Sequence, residues 1–396
     1  MYEHRGPERL LFERTSDFSI VAGGPLYRFA QRIGLTDGSA AGFVRLGLAI
    51  AALTWLPLLA LTPLGRDDTA ISFLHSLGTH ARLLVAIPLF FVAEAWFDKR
   101  SRELVRMLVA ARLVRPDQFP TFRAALLDAI RWRDGSIVET AVVVIALSFI
   151  LEGPRSDVPW GVSTWRTAAT GSLTPAGWWY TIVSFPLYQF LLWRWGVRML
   201  VWSRLVWRIN RLDLQLMPTH PDLAAGLAAF GEAHMALSPL SVAVSAMLAA
   251  SIAEETLYAG ADVSQFVLPL TGTVCVTVLL IVVPLLIFVP RLIRVRQEGL
   301  LEYGTLAAGY VHAFDDKWIR RNTQPREPLL GSADLQSLAD LANSFDVIRR
   351  MRIVPIALFQ VLVLVAAAAL PALPLVLFIL PFNELILKVL GAVFKV

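Results

Sequence analysis

Six apolar stretches of bilayer length, and a seventh of double length, constrain this chain more than any other feature. A transmembrane helix needs about 20 mostly apolar residues. The windows 42–63, 80–97, 136–153, 177–200, 236–258 and 266–290 each supply a run of that order. The last stretch, 353–395, would be roughly 64 Å long at about 1.5 Å per residue, about twice what one crossing uses. Leu-Pro-Ala-Leu-Pro at 370–374 can turn it, because proline removes a ladder donor and clashes with the preceding turn. That division gives spans at 353–370 and 374–394. Composition agrees. Hydrophobic residues are 56% of the 396 and charged residues 17%, against roughly 45–50% and 25% in soluble globular chains. Mean hydropathy is +0.60. A disordered chain is excluded and a soluble enzyme disfavoured. The single Cys excludes a disulfide framework and Cys-built metal clusters. The expected fold class is all-α: a polytopic membrane helix bundle of about eight transmembrane helices with cytoplasmic surface helices.

An even number of spans puts both termini on one side, and basic residues choose the side. Of 36 Lys and Arg, 32 fall in the N-terminal 45 residues, in 98–136, 194–236 and 291–352, or at Lys388 and Lys395. The four others, Arg66, Arg82, Arg155 and Arg166, lie in or beside the opposite loops. Both termini are therefore expected in the cytoplasm. The first 40 residues lack the early apolar core of a cleavable signal. The net charge of +5 reads as this same asymmetry and not as a nucleic-acid footprint. Its implied partners are the lipid bilayer and the anionic headgroups of its cytoplasmic face. Basic residues are almost all Arg, a bias associated with GC-rich bacterial genomes, so a bacterial inner membrane is the expected home.

The organisation that follows is a cytoplasmic tail 1–41, spans 1–2 over 42–97, cytoplasmic helices 98–135, spans 3–4 over 136–200, a helical extension 201–235, spans 5–6 over 236–290, a cytoplasmic helical segment 291–352 and a hairpin of spans 353–396. Leu104, Met107, Leu108 and Leu113 suit a helix lying along the inner surface, broken at Pro116 and Pro120 before a helix 121–133. Asp222 reads as the cap of a helix 223–235. A helix over 297–320 precedes another after Ser332, with Leu335, Leu338, Leu341 and Phe345 on one face. Trp160, Trp165, Trp178 and Trp179 read as an aromatic belt at the outer interface.

The stretch from Phe314-Asp315-Asp316-Lys317-Trp318 through Pro328-Leu329-Leu330-Gly331-Ser332-Ala333-Asp334 to Met351-Arg352-Ile353-Val354-Pro355 resembles the C-terminal signature of a group of uncharacterised bacterial multi-pass inner-membrane proteins. Pro218-Thr219-His220-Pro221-Asp222 is similar too. The resemblance touches roughly the second half of the chain. It implies a bacterial integral-membrane protein and brings no assigned activity.

Ionisable groups inside a bilayer are costly and are default functional candidates. Glu384 falls near the middle of span 8, beside Asn383 and three residues after Pro381. With Gln360 these make a candidate transport path, oxygen-rich enough for a cation or a proton. The same carboxyl also reads as protonated in an apolar site, paired with an Arg of another span, or interfacial beside Lys388. Arg45, Glu94, Glu139, Arg194 and Arg198 all fall near the cytoplasmic boundary. They form a candidate inner-leaflet charge layer, in which Glu94 and Glu139 face arginines and Arg45, Arg194 and Arg198 are the available partners. Such a layer either fixes helix packing or forms a gate.

Prolines in most spans permit the broken helices of transporters, although the two halves show no inverted repeat. The six His have no metal spacing, and nucleophile-elbow, phosphate-loop and paired-Cys motifs are lacking. His220 with Asp222 is the one base-and-orienter pattern, and its prolines read as a turn. No catalytic residue, metal or cofactor is therefore assigned. Two functions stay open. The first is a channel or transporter for an ion or small solute, with Glu384 in its path. The second is a non-transporting membrane scaffold or partner subunit that docks through 291–352. A homo-oligomer or a membrane-protein partner suits either.

Overall fold

The structure is a computed structural model that describes residues 18–64, 73–151, 164–168, 170–320 and 332–376. These residues are helical, and their only β pairings are the isolated bridges Val114–Leu214 and Thr167–Leu173. Helix α1 is Gly24–Arg32, and α2 is Ala40–Leu61, started by Ser39 Oγ accepting from Gly42 N at 3.0 Å. Helix α3 is Leu77–Ala110, α4 is Phe119–Arg133 and α5 is Ser136–Leu151. Helix α6 covers 175–210 as Pro175–Trp179, a π turn Tyr180–Ser184 and Phe185–Asn210. Short α7, Ala229–Met235, leads into α8, Ser238–Ala259. Helix α9 is Val263–Ile319, α10 is Ala333–Arg350 and α11 is Leu358–Leu375.

Five of these units are long and apolar enough to cross a membrane: α2, α3, α7 with α8, α9 and α11. Helices α5 and α6 pack alongside them. Contacts fix the directions. Trp55 Nε1 donates to His80 Nδ1 at 2.9 Å, Ser184 Oγ donates to the Thr54 carbonyl at 2.7 Å, and Gly47 lies against Phe91. Helix α2 is therefore antiparallel to α3 and α6, and α3 and α6 run side by side in one direction. The bundle has an arginine-rich end and an opposite end. Between them lies an aromatic core of Phe90, Tyr188, Trp195, Phe97 and Trp202, joined by stacked and edge-on ring pairs. In hydrocarbon such burial replaces lipid contact, so its stabilisation is packing and dispersion. Buried Ser241, Ala243, Ser245 and Ala249 give α8 the small-residue face that close packing needs.

Several elements depart from the sequence expectation for identifiable reasons. Helix α3 does not stop at the membrane boundary to begin a separate surface helix. It continues to Ala110, because Leu104, Val105 and Leu108 are buried against neighbouring chain. Helix α9 is continuous where a boundary at 290 is expected. Pro284 and Pro290 each remove a ladder donor inside it, and the helix tightens to a 3-10 stretch Val283–Phe288 before resuming as α over Val289–Phe314. Its 57 residues would extend roughly 85 Å at about 1.5 Å each, so much of it lies beyond a hydrocarbon core of about 30 Å. In α11, Leu370–Leu375 tightens to 3-10 geometry and the helical sense continues through both prolines. Residues 223–228 are a knot of turns and not the first turn of a helix, with Leu223 and Ala225 at φ 57° and 55°. Trp165 is only 4% exposed, packed edge-on against Phe73 and Tyr180, so it belongs to the core and not to a lipid-facing belt.

Candidate functional site

Helices α3 and α6 carry carboxylate and guanidinium groups at matching depth near the arginine-rich end. Glu94 is 2% exposed at its side chain, and its Oε1 accepts from Arg194 Nη1 at 3.3 Å and from Arg198 Nη1. Arg198 also donates from Nη2 to the Val21 carbonyl at 3.1 Å. Residues 18–24 thread into this layer as a bent segment that runs into the start of α1. Phe18, Ser19, Ile20 and Val21 are all buried. Ser19 Oγ donates to Asp98 and accepts from Val21 N at 3.1 Å and Ala22 N at 2.7 Å. Arg133 donates to the Ser19 carbonyl at 2.6 Å while its other nitrogens fork onto Asp134 at 2.9 and 2.6 Å. Asp134 Oδ1 accepts from Gly24 N at 2.9 Å, and Glu139 Oε1 from Leu26 N at 3.3 Å. Asp98 is completed by Arg102 Nε at 2.8 Å.

The layer is electrically balanced: Arg102, Arg133, Arg194 and Arg198 face Glu94, Asp98, Asp134 and Glu139. Balance is what permits its burial, since an unpaired ion here would lose hydration without recompense. Outside the spans, burial alone would raise the Asp134 carboxyl, but Arg133 and the Gly24 N–H reverse this and hold it below its ordinary value. A cavity of about 40 Å³ lies beside the segment, lined by Gly23, Arg133, Glu139, Arg194 and Arg198 among others. Most of its wall is apolar, from Ile20, Val138, Val142, Phe190, Val197 and Val201, with the charged groups at one side.

The expected site residues are thus divided. Glu94, Arg194 and Arg198 come together, and Glu139 reaches the same cavity with its hydrogen bond going to the Leu26 amide. Arg45 is not part of the layer. Its side chain is 59% exposed and turns back to Asp37 at 3.4 Å, because the Asp37-Gly38-Ser39 turn holds that carboxylate near the start of α2. Gln360 caps α11, its Oε1 accepting from Ala357 N at 2.9 Å. Glu384 and Asn383 lie outside the described residues. Sequence reasoning missed Ser19, Val21, Asp98, Arg133 and Asp134. The one local signal was Phe18-Ser19-Ile20-Val21 inside a charged tail, stopped by Gly23-Gly24-Pro25.

The Pro218–Asp222 stretch also finds its partners. Asp222 accepts from Ala224 N at 2.8 Å, Gly226 N at 3.1 Å and Ala228 N at 3.0 Å. Burial would raise its carboxyl, but these three donors and the His220 ring hold it below its ordinary value. Arg352 Nη2 donates to the Asp222 carbonyl at 2.6 Å and Arg352 N to the Leu223 carbonyl at 2.8 Å. The Asp222 carboxylate thus holds a strained turn and also pairs with His220, whose Nδ1 lies 2.8 Å from its Oδ1. Asp334 accepts from Lys317 Nζ at 2.7 Å and Trp318 Nε1 at 3.0 Å, joining the end of α9 to α10. No group of three or more His, Cys, Asp or Glu that could hold a metal occurs among the described residues. Comparison with protein-family models, curated proteins and solved structures returns no match.

Proposed function

We propose that the chain is an eight-span protein of a bacterial inner membrane, both termini cytoplasmic, that moves an ion or small solute along the α3–α6 seam. In this reading the charge layer is its cytoplasmic gate. The observation that supports it is the Arg198 guanidinium, which serves two contacts at once: Glu94 across the helix seam and the Val21 carbonyl of the inserted segment. A seam closed by apolar packing alone has one tight arrangement. A seam closed by exchangeable ionic and carbonyl bonds can be opened by hydration, and opening it would release the 18–24 segment together with the helix contact. Glu384 and Asn383 stay in the proposed path as the midplane carboxylate and amide.

Ion and proton flux in proteoliposomes tests this reading. Wild-type flux that changes severalfold in Glu94→Gln at matched incorporation supports the gate, and loss of flux in Glu384→Gln supports the path. Absence of flux for monovalent ions, protons and small organic anions alike would sink the transport reading.

A specific feature favours a second reading, that of a scaffold or partner subunit. The far part of α9 and the facing α10 leave Leu301, Leu306, Val311, Ile319 and Leu335 half or more exposed. A docking surface there predicts a specific protein cross-linked through 291–352 in native membranes, lost in Leu301→Glu with the bundle intact.

A further inference from the structure

At the end of the bundle opposite the charge layer, two arginines converge on one tyrosine. Arg82 stands on a π turn of α3, Ala81–Ala86, and Tyr180 opens the π turn of α6, Tyr180–Ser184. Turns of this kind shift the register of a helix and recur at functional positions. Arg82 Nη1 donates to the Tyr180 hydroxyl, and its guanidinium carbon lies 5.5 Å from the ring centroids of both Phe185 and Tyr188. Arg166 covers the face of the same tyrosine, its guanidinium carbon 4.5 Å from the Tyr180 centroid and 4.8 Å from that of Trp165. Its Nη2 donates to Thr79 Oγ1 at 3.2 Å.

Neither arginine has a carboxylate partner among the described residues. Glu254, at the same end, is held by Gly78 N at 2.9 Å and by Ser76 Oγ at 3.4 Å. Arg82 Nε is buried with no acceptor among the described residues. A guanidinium carries five donors in a planar fork. Toward the described residues each arginine here uses one, which leaves most of both forks for something else. Aromatic faces offset part of the charge but accept no in-plane hydrogen bond. The groups that match such forks are planar or tetrahedral oxyanions, which take two parallel N–H bonds from one arginine. These are also two of the four basic residues that stand against the charge asymmetry of the whole chain.

We propose that Arg82 and Arg166, flanking Tyr180, form a binding site for a phosphate-type oxyanion at the outer end of α3 and α6. The site binds the anion whether or not the anion crosses the membrane, so it does not depend on the transport reading. The phosphate is either free or the headgroup of an outer-leaflet anionic lipid.

The test uses the full chain in phosphate-free detergent, titrated with sodium phosphate against sodium chloride at constant ionic strength and followed by tryptophan fluorescence, Trp165 lying beneath Arg166. The same signal is then recorded in nanodiscs of phosphatidylcholine with and without phosphatidylglycerol. A saturable response to phosphate that weakens at least tenfold in Arg82→Gln and in Arg166→Gln, and is unchanged in Arg45→Gln, supports a site for the free anion. A response confined to phosphatidylglycerol, with the same dependence on both arginines, supports the headgroup. Arg82→Lys guards against misfolding: it keeps the charge, and the fork argument expects binding weakened with the melting temperature unchanged. Equal responses in wild type, Arg82→Lys and Arg166→Gln, or no response to either phosphate source in wild-type protein, would overturn the proposal.

Discussion

Arg198 donates from Nη2 to the carbonyl oxygen of Val21 at 3.1 Å, across 177 positions of sequence. The same guanidinium holds Glu94 of α3. One side chain of α6 thus secures both a helix seam and an inserted N-terminal segment, and the two contacts are expected to respond to mutation together.

Glu94→Ala leaves Arg194 and Arg198 buried with no counter-ion at this position, and breaking such a pair costs about 3–5 kcal/mol. The expected result is a clear fall in melting temperature in detergent. Replacing all three by Glu94→Leu, Arg194→Met and Arg198→Met removes every uncompensated charge and recovers most of that stability. A gate would stay defective in the recovered variant, whereas a purely structural bridge would not matter to flux.

Ser19→Ala deletes the bond to Asp98 and leaves the Val21 and Ala22 amides without their acceptor. Buried donors left unmade cost about 1–3 kcal/mol. Limited trypsin digestion checks this: cleavage after Arg28 should accelerate severalfold, with α6 as resistant as before.

The Asp222 carboxyl lies below its ordinary value in the folded protein. A carboxylate of this kind contributes stability that is complete above its unfolded value of about 3.9 and is lost as pH falls through the folded one. Asp222→Asn should therefore flatten the acid limb of a stability–pH profile between about pH 4 and the folded value, while lowering the melting temperature at pH 7. An unchanged acid limb would show that other carboxylates carry it.

Two glycines should respond in opposite directions. A Cβ at Gly231 would meet the Pro355 carbonyl and stand 3.0 Å from Gln360 Oε1, so Gly231→Ala is expected to cost about 1–3 kcal/mol. Gly309 in the far part of α9 has open space around it, and Gly309→Ala should gain about 0.5–1 kcal/mol from reduced backbone freedom. Thermal melts of both variants check the pair.

The chain has one cysteine, Cys275. In a Cys275→Ser background, Asp340→Cys should react with a membrane-impermeant maleimide in inverted vesicles and resist it in intact spheroplasts. The opposite pattern would reverse the orientation read from the basic residues.

What the sequence revealed, and what it hid, follows from the range of the forces involved. Hydropathy located the cores of α2, α3, α8 and α9, and helical continuity past residue 200 was readable in α6, because each is a property of contiguous residues. The pairing of Glu94 with Arg194 and Arg198 was accessible from depth alone, since helices that cross side by side bring equal depths together. Arg45 obeyed the same depth rule and still left the layer, captured by Asp37 from a turn whose carboxylate no hydropathy window weighs. The 18–24 segment left only a faint mark for a related reason: a run of four residues beside a charged tail has no periodicity, and its burial is decided by Arg133 and Arg198 far along the chain. Helix α9 runs past 290 because a hydropathy window ends where apolar residues end, and a helix need not. The prolines at 284, 371 and 374 each lie in a stretch that tightens to 3-10 geometry.

The seating of Val21 against Arg198 also orders events in time. Synthesis at about 5–20 residues per second puts roughly 9–35 s between the two residues leaving the ribosome, given the 177 positions that separate them. Through that interval residues 18–24 wait without the guanidinium that receives them, while α2, α3 and α5 are laid down. The segment is thus made well before one of its partners, and its full seating waits for α6, while α7 to α11 are still to come. A chain that lacks α6, or inserts it wrongly, would leave the Val21 carbonyl without its guanidinium and the segment easier to cleave.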